Sequence, residues 1–216
     1  MEQKKGQLYG RVLSRVTRPF PDFDFSFIKP VRHRAVELLN LKPGDRVLDV
    51  GCGPGGSFPF LVSAVGTSGR VVGVEMGPEV SFNARKRIAR NGWETVEVIV
   101  AAAQEVHLIG TFDGLLMFAA ADVYASEEAL ENILRHVKGD GRVAVFGAKF
   151  SSNYLARMFN PLLELLFKLI SPTTPRPDYE PWRLLAKYVE GLDVKEYFFG
   201  LMFLASGSVS KKISKR

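Results

Sequence analysis

The stretch that most constrains this chain is Val47-Leu48-Asp49-Val50-Gly51-Cys52-Gly53-Pro54-Gly55-Gly56. An apolar, β-branched run ends in an acid and is followed at once by closely spaced glycines. This order predicts a buried strand, a tight turn and the start of a helix. Such a turn is the usual cradle for a nucleotide-like ligand, because backbone without a Cβ can approach the ligand closely.

The glycine spacing fits two ligand patterns, which differ at one acid. Gly51, Gly53 and Gly56 satisfy the dinucleotide pattern G-x-G-x-x-G. The pattern D-x-G-x-G-x-G is also satisfied, by Asp49, Gly51, Gly53 and Gly55. A carboxylate two residues before the first glycine would repel a pyrophosphate, whereas it would attract an ammonium group. Asp49 therefore favours a ligand with an amino-acid moiety over a dinucleotide.

The rest of the chain alternates between strand and helix patterns. Short apolar runs predict strands at Arg46–Val50, Arg70–Glu75, Thr95–Ala101, Phe112–Phe118, Arg142–Gly147, Val194–Phe199 and Leu201–Ser206. Helical spacing predicts helices from Pro30 to about Asn40, and at Gly56–Val65, Pro78–Asn91, Glu127–Val137, Tyr154–Ile170 and Pro181–Glu190. The alternation indicates an α/β fold, a Rossmann-like, doubly wound and mostly parallel sheet with helices on both faces. The last two strands flank Gly200 and predict an antiparallel edge hairpin.

The motif that starts at Asp49 resembles the first motif of the class I S-adenosylmethionine (SAM)-dependent methyltransferases. The order of elements is similar to that family over residues 31–207, and V-L-D-V-G-C-G-P-G is most similar to its small-molecule, lipid and quinone type. The resemblance implies a seven-stranded sheet whose last strand is antiparallel. It also implies that SAM is the cofactor.

The resemblance further implies a cofactor site at the ends of successive strands. Its residues are Asp49, Gly51, Cys52, Gly53, Gly55, Glu75, Met76, Ala102, Ala103, Gln104 and Phe118. Glu75 is implied to accept hydrogen bonds from both ribose hydroxyls, and Met76 to lie against the adenine. The family commonly has an aspartate where this chain has Ala102. Backbone groups near Ala102 and Ala103, or the Gln104 side chain, would have to replace it.

Methyl transfer needs alignment of the reacting groups, and it needs a general base only when the nucleophile holds a proton. The candidates for that base are Asp122, Tyr124 and His33, with Asp22 and Tyr9 behind them. Asp122 and Tyr124 rank first because they follow the fourth strand, which points at the methyl group in the family. His33 lies one position off the buried stripe of its helix. No His, Asp or Glu group has the spacing of a metal site.

Three segments lie outside the pattern of the sheet. Residues 1–30 are predicted to form a helical and aromatic cap, which either packs over the sheet or lines a substrate pocket. Residues 150–178 are predicted to be a helical lid insertion after the fifth strand, and residues 208–216 a basic tail. The wide apolar face of Tyr154–Ile170 fits three roles: core, a lid over an apolar substrate, or a helix at a membrane surface.

Composition limits the compartment and the partners. The chain has 216 residues, 46% of them apolar, and one cysteine, which indicates a single domain in a reducing compartment. It shows neither a cleavable signal nor an apolar run long enough for a membrane span, so we expect a cytoplasmic protein, in one interpretation peripherally associated with a membrane. The net charge of +6 is concentrated at the two ends. Basic ends fit nucleic acid, a lipid surface or solvated termini.

These observations give one leading hypothesis and two alternatives. The leading hypothesis is a SAM-dependent methyltransferase that acts on a small or lipid-like, apolar acceptor. The family's amino-methylating motif [N/D]-P-P-[Y/F] is absent after the fourth strand, and no second cysteine is present to attack a pyrimidine ring. One alternative is an RNA methyltransferase that uses the basic ends. The other is a non-catalytic module that binds a cofactor or a partner.

Overall fold

The glycine turn lies near the centre of a seven-stranded sheet. A computed structural model of the chain describes residues 27–170 and 178–210. The strands are β1 (Arg46–Val50), β2 (Arg70–Glu75), β3 (Val96–Val100), β4 (Phe112–Phe118), β5 (Val137–Ala148), β6 (Val189–Tyr197) and β7 (Met202–Val209). Their order across the sheet is β3-β2-β1-β4-β5-β7-β6. β1 to β5 are parallel, whereas β7 is antiparallel to both of its neighbours.

Helices cover both faces of this sheet. They are α1 (Lys29–Leu38), α2 (Phe58–Val65), α3 (Pro78–Asn91), α4 (Ala121–Tyr124), α5 (Glu127–Leu134) and α6 (Asn160–Ile170). α1, α2 and α3 bury Ala35, Phe58 and Ala84 in the core on one face. α5 buries Leu130 and Ile133 in the core on the other face, so both faces of the central strands are apolar. The predicted fold class is confirmed.

The strand order reverses beside β1. β1 pairs with β2 on one side and with β4 on the other, so the chain leaves this point in both directions along the sheet. A reversal of this kind opens a crevice at the carboxyl ends of the two central strands, where α/β proteins bind their ligands. The glycine turn after Val50 and the loop after Phe118 both lie at this point.

Several predicted boundaries shift in the structure. β5 begins at Val137, because the predicted turn at residues 138–141 continues as strand across a bulge between the pairs Phe112–Val137 and Gly114–Arg142. α5 consequently ends at Leu134. The helix predicted at Pro181–Glu190 is wrong: this segment forms turns and one short 3₁₀ helix, Leu185–Lys187, before β6 begins at Val189.

The predicted helix Tyr154–Ile170 divides into two pieces. A 3₁₀ helix, Ala156–Phe159, leads directly into α6. The Asn160 side chain accepts a hydrogen bond from the Ser151 N–H (2.9 Å) and donates one to the Ser151 carbonyl (3.1 Å). These two bonds tie the start of α6 to the end of β5, and Pro161 fits the first turn of α6 because its missing N–H is not needed there.

Some sequence predictions fall outside the described residues. They are Tyr9 and Asp22 as proton acceptors, the cap up to residue 26, and the basic tail beyond residue 210. The division into a cap at 1–30, a methyltransferase domain at 31–207 with a lid at 150–178, and a tail at 208–216 stays a proposal.

At the amino edge of the sheet, one carboxylate joins three strands. Asp113 of β4 accepts hydrogen bonds from the Arg46 backbone N–H of β1 (3.0 Å) and from the Lys138 ammonium of β5. Burial acts to raise the pKa of Asp113, but these two hydrogen bonds and the nearby cations outweigh it and lower the pKa below its usual value. The ionised form therefore stabilises the fold.

We expect Asp113→Asn to lower the free energy of unfolding by about 1 kcal/mol at pH 7, because the charged hydrogen bonds are lost. A lowered pKa stabilises the fold at every pH above the unfolded-state value of about 3.9, and the effect disappears as the pH falls through the lowered pKa. Urea unfolding at neutral and acidic pH measures the difference, with Asp140→Asn in the exposed part of β5 as the matched control. If Asp113→Asn lowered the free energy of unfolding equally at neutral and acidic pH, the proposed role of the ionised carboxylate would be contradicted.

Candidate active site

The turn between β1 and α2 has left-handed backbone at three glycines. Gly51 has φ +71°, and a Cβ there would lie 2.6 Å from the Ala120 Cβ, in the loop after β4. Gly53 has φ +57°, and a Cβ there would meet no atom within 4 Å. Gly51 is therefore required by packing between two loops. At Gly53 the backbone faces open space, which leaves it accessible to a ligand.

Two arginines hold this turn from adjacent helices. Arg87 of α3 donates from Nη1 to the Gly55 carbonyl at 2.9 Å. Arg32 of α1 donates from Nη1 to the Ser57 hydroxyl at 2.9 Å, and its guanidinium lies 4.1 Å above the Phe118 ring. Both side chains are almost completely buried. The turn is therefore fixed in position before any ligand binds.

The structure brings Arg32 into the site, and sequence reasoning missed it. Arg32 lies three, four and seven residues before Ala35, Val36 and Leu39, which is the spacing of one helix face. All four residues lie on the buried face. A base within such a stripe is a detectable signal, because a buried guanidinium requires a partner.

Asp49 has the least favourable environment of the charged side chains described at this site. It is completely buried in β1, and neither carboxylate oxygen has a hydrogen-bond partner among the described residues. Burial raises the pKa of Asp49 to about 7, the Arg32 charge acts in the opposite direction, and the Glu75 charge adds to the increase. A buried carboxylate without a donor is costly, so this position requires a positively charged or donating group.

Glu75 connects the glycine turn to the loop after β2. Its Oε1 accepts from the Gly77 N–H at 2.7 Å and its Oε2 accepts from the Gly53 N–H at 3.1 Å. Burial raises the pKa of Glu75 to about 7; the backbone donors oppose this increase and the Asp122 charge adds to it. A carboxylate has about four acceptor positions, so two remain for further donors such as ribose hydroxyls.

The remaining predicted cofactor residues surround these two acids. Met76 is half-buried after β2, and Ala102 and Gln104 are half-buried in the loop after β3. Asn132 of α5 donates to the carbonyls of Ala103 (2.9 Å) and Val106 (3.0 Å), which fixes that loop from behind. Sequence reasoning missed Asn132, because an asparagine in an amphipathic helix gives no signal of its long-range partner.

Cys52 and Phe118 are buried at the base of the site. The Cys52 thiol packs on Gly73, where a Cβ would lie 2.8 Å from its sulfur. Burial, together with the charges of Asp49 and Glu75, raises the pKa of the Cys52 thiol well above its usual value. Phe118 stacks on Phe146 with ring centroids 4.4 Å apart. Both side chains support the walls of the crevice.

Of the three predicted catalytic side chains, only Asp122 lies at the crevice. Its side chain reaches solvent, desolvation by the surrounding protein raises the pKa of its carboxyl, and its charge acts on Glu75. Tyr124 is 2% exposed and packs edge-on against Phe203 in the core. His33 lies on the surface of α1, 3.3 Å from Glu37. The placements of Tyr124 and His33 favour packing and surface roles.

A second polar cluster, also missed from the sequence, lies at the end of β5. Lys149 is buried, its ammonium is 2.6 Å from the Glu196 carboxylate, and it lies over the Trp182 ring. Ser151 donates to the Phe199 carbonyl at 2.7 Å. Because these contacts join residues far apart in the chain, neither periodicity nor spacing predicts them. They fix the turn between β6 and β7 at the same edge of the sheet as the glycine turn.

The described residues include no group of three or more His, Cys, Asp or Glu side chains placed to hold a metal ion. Within the same part of the chain, every helix is too short or too polar to cross a membrane.

A family model described as protein-L-isoaspartate(D-aspartate) O-methyltransferase (PCMT) matches residues 28–143, more than half of the chain. The chain belongs to this family. The match runs from the residue before α1 into β5 and includes the glycine turn, Asp49 and Glu75. The predicted resemblance to class I SAM-dependent methyltransferases is confirmed, and SAM is the cofactor that goes with this family and fold.

Individual relatives of this PCMT-family chain act on different acceptors. Protein-L-isoaspartate O-methyltransferase 2 of Archaeoglobus fulgidus is 32% identical over 110 residues, which is 50% of this chain and 48% of that protein. Demethylmenaquinone methyltransferase of Bacillus cytotoxicus is 27% identical over 179 residues, 80% of this chain and 74% of that protein. The chain spans between 32% and 49% of the length of the first three curated relatives.

Solved structures of low sequence identity share the fold of this PCMT-family chain. A SAM-dependent methyltransferase from Aquifex aeolicus has a TM-score of 0.61 and 21% identity. The similarity covers 82% of this chain and 89% of that one. At this identity the comparison concerns the fold alone.

The side chains of this PCMT-family chain fit SAM. The Asp49 carboxylate, which accepts no hydrogen bond from the described part of the chain, is suited to the ammonium of the methionine moiety, and the open backbone at Gly53 admits a ligand. Glu75 retains acceptor positions for the ribose hydroxyls. When bound, SAM supplies a methyl group on a sulfonium, which is an excellent leaving group.

We expect Asp49→Asn to raise the free energy of unfolding of the ligand-free protein by about 1–3 kcal/mol at pH 8, because it removes a buried charge that has no hydrogen-bond donor among the described residues. An acid whose pKa is raised from about 3.9 to about 7 on folding destabilises the fold progressively as the pH rises between these values. The gain should therefore grow from pH 4 to pH 7 and then level off. Urea unfolding measures it, and Asp113→Asn, with the opposite sign, is the control. A loss of stability at pH 8 would overturn this assignment.

Proposed function

We propose that this chain transfers a methyl group from SAM to a small or lipid-like, largely apolar acceptor. The observation that carries the donor half of this proposal is the buried Asp49 carboxylate. It has no hydrogen-bond partner among the described residues, and the open backbone of Gly53 follows it in the glycine turn. A strand that served packing alone would not retain a buried acid at this cost. Because the curated relatives are covered only in part, the activity is a proposal for this chain.

The chain's own residues have two tasks in this reaction. Arg32, Arg87 and Asn132 fix the loops that receive the cofactor. The loops therefore have the geometry that aligns the methyl donor with the acceptor before either ligand binds. Alignment of this kind contributes up to roughly 7–11 kcal/mol to a displacement reaction. Asp122 would accept a proton from an acceptor that carries one, and its raised pKa makes it a better base than an ordinary aspartate.

The acceptor half of the proposal rests on an aromatic rim at the carboxyl edge of β5 and β6. We define this rim as Phe27, Phe150, Tyr179, Phe198 and Phe199. Phe27 packs edge-on against Phe198 with ring centroids 5.5 Å apart, and Phe150 packs against Tyr179 at 5.6 Å. Such rings offer flat apolar area, which favours an apolar or aromatic acceptor over a phosphate or a sugar.

The family model gives a second candidate, the isoaspartyl carboxylate of damaged proteins. Its match ends at residue 143, before Lys149 and before most of the aromatic rim. The matched residues include those proposed to bind SAM. The family match therefore supports SAM as the methyl donor more strongly than it supports an isoaspartyl acceptor. The RNA alternative rests on basic ends that lie largely outside the described residues.

An acceptor panel separates these candidates. It contains a reduced quinone, a simple phenol, a fatty acid, an isoaspartyl peptide and RNA, and S-adenosylhomocysteine (SAH) release is measured. Turnover of an apolar member supports the proposal. Turnover of only the isoaspartyl peptide, or of only RNA with strong salt dependence, would assign the other acceptor class. SAH binding without any turnover would favour the non-catalytic module.

We expect the SAH affinity of the wild-type protein to increase between about pH 5.5 and pH 7.5, by up to about tenfold per pH unit. Asp49 must be ionised to pair with the ligand ammonium, and its pKa in the free protein is about 7. Asp49→Asn should weaken binding at least about tenfold at pH 7.5 and reduce the pH dependence, because it removes the charged partner. Titration calorimetry with SAH, and with NAD as the competing cofactor, provides the measurement.

The control for that experiment is Asp113→Asn, which makes the same change at the opposite edge of the sheet. Its SAH affinity should equal that of the wild-type protein. If Asp49→Asn bound SAH as tightly as the wild-type protein at pH 7.5, the proposed role of Asp49 would be rejected.

With an acceptor that loses a proton, we expect Asp122→Asn to lower kcat by roughly 10²-fold, because a positioned base is lost. SAH affinity should be retained, since removal of the Asp122 charge relieves the ionised form of Glu75. SAH release and calorimetry on the same samples measure both quantities, with Asp193→Asn in β6 as the control. Unchanged kcat would exclude Asp122 as the proton acceptor.

A further inference from the structure

The segment that leads into α6 and its first turns present their apolar side chains to solvent. Exposed fractions are 73% for Leu155 and 72% for Met158. We call this surface the outward apolar face, and its members are Tyr154, Leu155, Met158, Phe159, Leu162 and Leu165, all at least half exposed. A surface helix of a globular protein normally directs its apolar side chains inward. Here the arrangement is reversed.

The orientation of this segment is fixed by contacts on its inner side. Ala156 is buried, and Asn160 exchanges two hydrogen bonds with the Ser151 backbone. The Asn153 side chain accepts a hydrogen bond from the Leu155 N–H at 3.0 Å, which orders the start of the segment. The polar residues are therefore used to attach the segment to β5. The outward apolar face remains available for a partner, and contiguous exposed apolar area of this kind marks an interaction surface.

Phe199 extends the apolar surface at the same edge of the sheet. It is 82% exposed at the tip of the turn between β6 and β7 and has φ +57°. A left-handed conformation is costly for a bulky residue, and the Ser151 hydroxyl holds it through the Phe199 carbonyl. β6 is parallel to β5, so this tip lies at the carboxyl edge, where the crevice opens.

Cations are interleaved with the aromatic side chains on this surface. The Arg157 guanidinium lies 4.9 Å from the Tyr154 ring, and the Lys195 ammonium lies 5.5 Å from the Tyr197 ring. The whole chain carries a net charge of +6, and Arg157 and Lys195 place two of its cations beside these aromatic rings. Exposed apolar side chains bordered by bases are typical of protein surfaces that bind anionic lipid. A second copy of the chain would be repelled by the same charge.

We propose that the outward apolar face and Phe199 dock on an anionic lipid bilayer, with the crevice facing the membrane. This inference deepens the proposed function and rests on it for one consequence: a lipid-like acceptor would reach the crevice without crossing water. The docking itself is measured without turnover. Failure of docking can therefore be distinguished from failure of methyl transfer.

The test is flotation of the full-length protein with vesicles of phosphatidylcholine, with and without phosphatidylglycerol. The protein should float with the anionic vesicles and much less with the neutral ones, and added salt should weaken binding. The double variant Leu155→Gln/Met158→Gln should lower the partition coefficient at least about tenfold, because two apolar side chains leave the bilayer. Gln has nearly the helix propensity of Leu and Met, so the helix should be retained.

The matched control is Phe82→Gln/Ile109→Gln, which removes two exposed apolar side chains on α3 and at the amino edge of the sheet. It should float like the wild-type protein. Phe199→Gly provides a second probe, since glycine adopts φ +57° without strain. This variant should bind vesicles less tightly while its melting temperature is unchanged or higher.

Three outcomes would overturn the proposal. The first is a flotation result without the expected contrast. In that case, either the wild-type protein does not float, or the control variant loses as much vesicle binding as Leu155→Gln/Met158→Gln. The second is a dimer in solution that this double variant dissociates, which would make a second copy the occupant. The third is a double variant with a lower melting temperature in the absence of vesicles, which would mean that residues 1–26 cover the face.

Discussion

The central constraint in this structure is a carboxylate buried in the middle of a sheet. Asp49 has lost its hydration, and no side-chain or backbone donor among the described residues replaces it. The nearby Arg32 charge offsets part of this cost without forming a hydrogen bond to it. The charges of Arg32 on α1 and of Glu75 at the end of β2 both act on this carboxylate. The glycine turn follows it directly in the chain. A fold that retains such a site is stabilised when a cation occupies it.

The sheet separates two tasks on either side of its switch point. The strands from β1 towards β3 end in the acids and loops that fit the cofactor, and the family model covers this half. The strands from β5 towards β6 end in Lys149, the aromatic rim and the outward apolar face. β4 lies between the halves, and Asp122 follows it. One half is therefore shared with the family model, whereas the other carries the aromatic rim on which the proposed acceptor rests.

The sequence was sufficient for the features that local patterns control. The glycine motif identified the turn, and apolar periodicity gave all seven strands, because strands buried on both faces consist of continuous apolar runs. Prediction was weaker for element boundaries and side-chain contacts that depend on residues far away in the chain. The bulge at the start of β5 and the turns at residues 181–188 depend on neighbouring strands. Arg32, Asn132 and the Lys149–Glu196 pair act across many residues of chain, and no local pattern identifies such pairs.

The burial of Cys52 has a consequence for a protein that handles an activated methyl group. A thiolate is a strong nucleophile, and one placed within the cofactor turn would compete with the acceptor for the methyl. Burial raises the pKa of the Cys52 thiol and keeps it neutral against Gly73. A smaller residue would leave a gap there, and a larger one would press on β2. The same packing thus fills the core beneath the turn and keeps the thiol in its neutral, weakly nucleophilic form.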